Sequence, residues 1–190
     1  ECRVSRIDQI GEVLISEEEI IKRAKELGEK ITIDHENDDV ILVGILRGAV
    51  MWMTELMKHI KLDLTIDFMV CSSYGSSTKT SGVVKIDKDL NSDIHGKSVI
   101  IVEDIVDSGV TLSYLKSYLA GRHPKSVEIC SLLDKPSGRR ADIEPDYYGF
   151  TVDDRFIVGY GLDYDQRFRQ LPYISYLKQN DAGSRLPEEE

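Results

Sequence analysis

The chain contains little cysteine: three residues in 190, at positions Cys2, Cys71 and Cys130. They are widely separated and show neither a Cys-x-x-Cys motif nor a Cys/His spacing typical of zinc ligands. This pattern excludes a disulfide framework and a structural zinc site. It favours a reducing compartment, and we therefore expect a cytoplasmic protein.

Long apolar runs are also missing. No stretch approaches the roughly 20 apolar residues that a transmembrane helix requires. The N-terminal residues ECRVSRIDQI do not combine a positively charged start with an apolar core, as a secretory signal would. We expect a soluble protein without a membrane partner.

The chain has few basic residues for its number of acidic ones: 24 Lys and Arg and 34 Asp and Glu give a net charge of -10. No Lys/Arg-rich cluster offsets this balance. Nucleic acid is therefore not expected as a partner, because a negative protein repels it at long range. If the ligand is a phosphate compound, basic side chains must be placed locally to receive it.

The length and the hydrophobic content of the chain suit one globular domain. With 190 residues, 41% of them hydrophobic, the chain can bury one substantial core, and we expect a single domain over residues 1–190. The polar end, DAGSRLPEEE, has no periodicity. Its residues from about 181 to 190 are expected to be a tail that is disordered or not native to the protein.

Helical and strand patterns alternate along the chain. Ser16-x-x-Glu19 is a capping-box pattern, and it predicts a helix over about residues 16–30. The continuous apolar run Val40–Leu46 is typical of a strand that helices cover on both faces. Further strands are predicted in LTIDFMVCSSY, from Val83, at Ser98–Val102 and in SVEICSLL, and further helices in AVMWMTELMKHI and from a start between Gly109 and Thr111. This order predicts an α/β fold with a central parallel sheet flanked by helices, whose ligands bind at the carboxyl ends of the strands.

One internal segment offers nothing to a core. In the segment GSSTKTSG, small hydroxylated residues lie between two glycines. The segment connects two predicted strands. This composition indicates a mobile flap loop at about residues 73–82. A disordered loop without a catalytic role is the alternative.

Three carboxylates, Glu103, Asp104 and Asp107, follow the predicted strand Ser98–Val102 within five positions. Placing them so close together costs like-charge repulsion, which a cation or a ligand could relieve. A sugar with vicinal hydroxyls and a bound Mg²⁺ ion would do so, since carboxylates accept hydrogen bonds from hydroxyls and attract this hard metal.

The next residues, Ser108, Gly109, Val110 and Thr111, provide hydroxyls and the start of a helix. Unpaired N–H groups and the helix dipole favour a phosphate at such a place. The segment is neither a P-loop nor a G-x-G-x-x-G motif. From the pattern alone, an ordinary strand, polar turn and helix cap, as in flavodoxin-like proteins, stays open.

The ordered run from Val102 to Thr111 resembles the phosphoribosyl-pyrophosphate motif of type I phosphoribosyltransferases. Other segments extend the resemblance to the hypoxanthine-guanine phosphoribosyltransferases over about residues 10–178: Leu46-Arg47-Gly48-Ala49, Ser73-Tyr74, Lys135, Phe156–Tyr164 and Arg169. The resemblance implies that family's fold. Besides the sheet, the fold would include the flap and a small hood. The hood would be made from the N-terminal segment and about residues 145–178.

The resemblance also implies roles for the acidic residues. Asp107 would be the catalytic residue, exchanging a proton with nitrogen 7 of the purine, and would bind the 5'-phosphate together with Ser108–Thr111. Glu103 and Asp104 would receive the ribose hydroxyls and a Mg²⁺ ion. Asp163, beside the purine, would help to hold a second Mg²⁺ ion.

In the same family, Arg47, Gly48 and Arg169 would bind pyrophosphate, and the peptide before Arg47 can be cis. Some relatives carry Lys-Gly-Gly where this chain has Arg47-Gly48-Ala49, and some carry Lys where it has Val110; these departures put affinities, not activity, in doubt. Ser73 and Tyr74 would belong to the flap.

The purine would be held by three further residues of the resemblance. Lys135 would donate to an exocyclic oxygen and so favour 6-oxopurines over adenine, since adenine carries a donor at that position. Phe156 would stack on the base, and the backbone of Ile157 would read its edge.

The implied activity is transfer of the 5-phosphoribosyl group from phosphoribosyl pyrophosphate to hypoxanthine or guanine, giving IMP or GMP and pyrophosphate. A xanthine-preferring enzyme stays open, as does a regulator of the same fold that senses phosphoribosyl pyrophosphate. The resemblance further implies a homodimer or homotetramer.

Overall fold

The computed structural model describes residues 6–73 and 84–178. The first predicted strand, β1, is present at Val40–Leu46. Cys2, Tyr74, most of the predicted flap and the predicted tail lie outside the described residues.

The first long helix, α1, spans Glu17–Asp34 and begins as its capping box predicts. The Glu19 N–H donates to the Ser16 hydroxyl, and the Ser16 N–H donates in return to the Glu19 carboxylate at 2.8 Å. The helix buries Ile20, Ala24, Leu27 and Ile31 on one face, in register with the apolar spacing of the sequence.

Six strands form the central sheet in the order β3-β2-β1-β4-β5-β6. Only β3 runs antiparallel to its neighbour, so the predicted central parallel sheet is confirmed with one exception. The strands after β1 are β2 (Leu64–Ser73), β3 (Val84–Lys88), β4 (Ser98–Val106), β5 (Ser126–Asp134) and β6 (Tyr147–Thr151).

Helices cover both faces of this sheet. On one face, α1 and α2 (Val50–Met57) pack against Leu42 and Ile100. On the other face, α3 (Val110–Ala120) packs against Ile41 and Ile101. Because alternate side chains of a strand point to opposite faces, both faces of β1 and β4 must be apolar, which explains their continuous apolar runs. Among the described residues, no helix combines the length and hydrophobicity of a membrane span.

The prediction for β4 was too short. The strand does not end at Val102 but continues to Val106, so Glu103 and Asp104 lie on the strand and only Asp107 follows it. The reason is pairing with β5, which continues through Glu103↔Ser131 and Val106↔Asp134. Ladder hydrogen bonds join backbone groups, and charged side chains at the open edge do not interrupt them.

The predicted boundary of the hood also needs correction. Residues from about 145 were assigned to it, but β6 pairs with β5 and extends the central sheet. The small second sheet consists of β7 (Ile157–Val158) and β8 (Ser175–Tyr176), and the N-terminal segment joins it through bridges Ile10↔Leu177 and Ile15↔Ile174.

Asp67 is a buried carboxylate on β2 that anchors the connection between β3 and β4. Its oxygens accept hydrogen bonds from the N–H groups of Phe68, Asn91 and Ser92 at 2.7–2.8 Å. Burial alone would raise the pKa of Asp67, but these donors reverse the effect and hold the pKa at about 2. The ionised carboxylate therefore stabilises the fold.

We expect Asp67→Ala to lower the free energy of unfolding by about 2–4 kcal/mol at pH 7, because three backbone donors lose their acceptor. A folded-state pKa below the unfolded value stabilises the protein above about pH 5, and this stabilisation declines as the pH falls toward about 2. Urea unfolding at several pH values should show the wild-type advantage shrinking in acid. The exposed Asp63→Ala is the matched control; an equal loss in both variants would contradict the anchoring role.

Candidate active site

The carboxyl ends of β1 and β4 lie side by side, because the two strands pair in parallel with Gly44 opposite Val102. The loop after β1 therefore meets the acidic stretch of β4. A Cβ atom at Gly48 would overlap the Asp104 carboxylate, so only glycine permits this approach. The Leu46–Arg47 peptide at the start of this loop is cis.

A cavity of about 360 Å³ opens at this edge of the sheet. Residues predicted to bind the ribose, the 5'-phosphate and the pyrophosphate line it together, among them Gly48, Glu103, Asp104, Asp107, Ser108 and Thr111. The structure thus brings the acidic pair, the loop after β1 and the start of α3 around one space, which we term the first cavity.

Among the described residues, neither Glu103 nor Asp104 forms an ion pair, although the Arg169 charge acts on Asp104 and partly offsets the effect of its burial. Each carboxylate accepts a hydrogen bond from the next backbone N–H, Glu103 from Asp104 at 3.3 Å and Asp104 from Ile105 at 2.7 Å. Burial raises the pKa of Glu103, and the Asp104 charge raises it further. Burial likewise raises the pKa of Asp104, with Asp163 adding to the effect. A cation or a hydroxyl donor in the cavity would relieve this charge.

The start of α3 is open to a ligand. Its N-cap, Gly109, has a φ of 75° and no side chain to accept from the first turn. Within the described part of the chain, the side chain nearest to a cap is that of Ser108, whose hydroxyl accepts a long 3.5 Å hydrogen bond from the Val110 N–H. In α1, by contrast, the N-cap Ser16 accepts a hydrogen bond from the Glu19 N–H. The preceding turn is held in place from outside, since the Arg140 and Ala141 N–H groups donate to the Ser108 carbonyl at 2.9 and 3.0 Å. The free N–H groups of the first turn are suited to a phosphate.

A second cavity, of about 230 Å³, shares Asp104, Ile105 and Asp107 with the first. Its other lining residues include Lys135, Arg155, Phe156, Ile157, Leu162 and Asp163. The residues predicted to bind the purine therefore lie together, next to those predicted to bind the phosphoribosyl group.

Lys135 lies in the second cavity between two carboxylates. Its Nζ is 3.0 Å from Asp154 and 4.0 Å from Asp107. Only 14% of the Lys135 side chain is exposed, whereas 52% of the Asp107 side chain is exposed. A largely covered ammonium and an accessible carboxylate thus face the same space.

Phe156 is 52% exposed and lines the second cavity. Its ring meets the Tyr164 ring edge-on, with centroids 5.6 Å apart. Ile157, the next residue, is buried on β7. One face of the Phe156 ring is therefore open to a planar ligand, the role that the family resemblance implies.

The predicted pyrophosphate residues also come together. Arg47 follows β1, and Arg169 donates to the Gly161 carbonyl at 2.7 Å and pairs with Asp163 at 2.8 Å. Both arginines contact Gln166: Arg47 at 2.9 Å and Arg169 at 3.0 Å.

The predicted magnesium ligands Glu103, Asp104 and Asp163 do not form a ready-made metal cage. Asp163 is held by Arg169 and by the Gln166 N–H at 2.8 Å. Over residues 6–73 and 84–178, no group of three or more His, Cys, Asp or Glu side chains is placed to bind a metal. An ion at this site would depend on oxygens from water and substrate, which is usual for Mg²⁺.

Sequence reasoning missed several residues at the site, among them Gln166 and Arg139. Arg139 Nη1 donates to the carbonyls of Val106 and Asp107 at 2.8 and 2.7 Å, and its guanidinium pairs with Asp134. It thereby fixes the end of β4. Neither residue belongs to a motif, so no signal in the single sequence could have found them.

Cys71 also lines the first cavity. Burial raises the pKa of this thiol to about 11, and the charge of Glu103 contributes. The thiol is therefore neutral at pH 7 and is not an activated nucleophile. Cys71 and Cys130 are free cysteines.

Known proteins share this architecture. A sequence profile of the phosphoribosyl transferase domain matches residues 7–165. A hypoxanthine-guanine phosphoribosyltransferase of Bacillus subtilis (strain 168) is 54% identical over 169 residues, which are 89% of this chain and 94% of that protein. The bifunctional protein TilS/HprT of Listeria monocytogenes serotype 4b is 50% identical over 171 residues, but these are only 26% of its length.

A crystal structure of a hypoxanthine phosphoribosyltransferase from Staphylococcus aureus superimposes with a TM-score of 0.88 at 46% identity, covering 94% of this chain and 97% of that one. These similarities confirm the resemblance indicated by the sequence motifs. The chain therefore belongs to the phosphoribosyltransferase family and is similar, over most of its length, to the hypoxanthine-guanine members.

Proposed function

We propose that this protein is a purine-salvage enzyme. It transfers the 5-phosphoribosyl group from phosphoribosyl pyrophosphate to hypoxanthine or guanine, and it gives IMP or GMP and pyrophosphate. The names of its relatives support this activity.

The observation that carries the proposal is the pair of adjoining cavities with Asp104, Ile105 and Asp107 in common. The first combines the acidic pair with an uncapped helix start, which suits a sugar hydroxyl pair and a phosphate. The second combines an exposed aromatic ring with a largely covered ammonium, which suits a purine that carries an oxygen acceptor. The bond between sugar and base would form at their shared wall.

The donor set fits Mg²⁺, because Glu103 and Asp104 are buried side by side without an ion pair among the described residues, and carboxylate oxygens are the ligands this ion prefers. These two residues would hold an ion through its water shell, and Asp163 would lie near a second. When bound, magnesium supplies charge neutralisation for the departing pyrophosphate.

The remaining catalysis would come from positioning and proton movement. Arg47 and Arg169 would receive the pyrophosphate oxygens, since guanidinium groups match phosphate geometry. Gly48 would let backbone N–H groups approach the same anion. At the other end of the sugar, Asp107 to Thr111 would receive the 5'-phosphate.

Asp107 would act on the base. Its carboxylate is accessible in the second cavity and lies 4.0 Å from Lys135 Nζ. We propose that it exchanges the proton at nitrogen 7 of the purine, which sets the nucleophilicity of nitrogen 9. Lys135 would donate to the 6-oxygen, so adenine, whose 6-amino group is itself a donor, would bind less well.

We further propose a cytoplasmic enzyme, which the two free cysteines support. Assembly as a homodimer or homotetramer is proposed on the family resemblance alone.

The direct test is nucleotide formation from phosphoribosyl pyrophosphate with hypoxanthine, guanine, xanthine, adenine and uracil, with and without Mg²⁺. We expect metal-dependent formation of IMP and GMP and no product from adenine or uracil. Tight binding of phosphoribosyl pyrophosphate with no turnover of any base would contradict the proposal and indicate a sensor. Faster turnover of xanthine than of hypoxanthine or guanine would correct the substrate.

Asp107→Asn should lower kcat with hypoxanthine by about 10²–10⁴-fold, the usual effect of losing a general acid-base group. The change is nearly isosteric, so the thermal unfolding midpoint should stay close to that of the wild type. The control is Asp142→Asn, which removes an exposed carboxylate from the segment after β5. An unchanged kcat in Asp107→Asn would exclude proton transfer by this residue.

A further inference from the structure

The carboxamide of Gln166 lies between two arginines that are distant in the sequence. Its Oε1 accepts a hydrogen bond from Arg47 Nη1 at 2.9 Å and another from Arg169 Nη2 at 3.0 Å. Arg47 precedes Gln166 by 119 positions, so the amide links the loop after β1 to the segment after β7. One neutral oxygen thereby holds two guanidinium groups next to each other.

Among the four side chains that these contacts join, the net charge is positive because Gln166 is neutral; the nearby Asp104 carboxylate also acts on Arg169 but forms no ion pair with it. Arg47 and Arg169 contribute two positive charges, and Asp163 offsets one of them through its 2.8 Å ion pair with Arg169. A glutamate at position 166 would make the same two contacts but would cancel the remaining charge. An amide oxygen is therefore the acceptor that joins the arginines and still leaves them attractive to an anion.

The backbone fixes Gln166 without a ligand. Its φ is 59°, and that of Asp165 is 50°, so two successive residues lie in the left-handed region. The Gln166 N–H donates to Asp163 Oδ2 at 2.8 Å, and Tyr164 and Arg167 pair across the turn. Phe168, two residues on, is buried in the small core of the hood segment. The carboxamide is thus presented from a turn anchored at both ends.

We propose that Gln166 is a positioning residue that assembles Arg47 and Arg169 into one anion-binding pair for the pyrophosphate group. The inference rests on the proposed function, in which these two arginines receive that group. Gln166 acts through the arginines, by holding them together before the ligand arrives. This preorganisation lowers the cost of binding.

Two substitutions separate the role of the acceptor from that of charge. Gln166→Glu keeps an acceptor but removes one net positive charge. Gln166→Met keeps the charge and similar length but removes the acceptor. Both keep a Cβ atom and an unbranched side chain, so the left-handed turn is disturbed equally little. Gln170→Glu is the matched control, because it makes the same charge change at an exposed position four residues further on.

We expect Gln166→Glu to raise the KM for phosphoribosyl pyrophosphate and the inhibition constant of pyrophosphate by about ten-fold, equivalent to about 1.4 kcal/mol. The kcat and the KM for hypoxanthine should change less than about two-fold, because the second cavity is untouched. Gln166→Met should raise the same two constants by about three-fold and should keep the wild-type salt dependence, whereas Gln166→Glu should weaken it. Gln170→Glu should match the wild type, and thermal unfolding should show all three variants folded.

Equal shifts in Gln166→Glu and Gln170→Glu would overturn the inference, because they would show a general effect of charge. Wild-type affinity for pyrophosphate in both Gln166 variants would overturn it as well. Direct titration of magnesium pyrophosphate keeps this test independent of turnover. If the wild type turns over no base, the proposed function fails, and the same titration still decides whether Gln166 supports anion binding.

Discussion

The site depends on the parallel pairing of β1 with β4. These strands are more than fifty residues apart in sequence, yet their register places Gly44 opposite Val102 and brings both carboxyl ends to one edge. The loop that carries Arg47 and the strand end that carries Asp104 then meet through the missing side chain of Gly48. The cationic Arg47 and the anionic Asp104 thus come from different segments of the chain. A one-residue slip would turn every side chain of β1 to the opposite face.

Much of the fold could be predicted from the sequence because its signals are local. The capping box at Ser16 and the apolar run Val40–Leu46 each specify an element without reference to distant residues. Predictions were wrong where pairing with a neighbouring strand determines the end of a strand or the sheet to which it belongs. β4 continues through its carboxylates because β5 pairs with their backbone, and β6 joins the sheet because β5 offers it a free edge. The side chains of β4 and β6 alone do not indicate either outcome.

The same division applies to the site. Motif residues such as Asp107 and Lys135 could be placed from spacing and resemblance, and the structure brings them to within 4.0 Å of each other. Arg139 and Gln166 could not, because each acts through contacts to segments that only the fold brings near. Their side chains are common on surfaces, and it is the neighbours that give them a role. The groups proposed to touch ligand were therefore easier to find than the groups that hold them.

The wall shared by the two cavities has a thermodynamic consequence. Asp104, Ile105 and Asp107 face both spaces, so a ligand in one space changes the surroundings of a ligand in the other. Whatever factor the first ligand applies to the affinity of the second, the second must apply to the first. The order in which two ligands arrive is then a matter of kinetics, while the free energy of their mutual influence is a single quantity that is the same for either order.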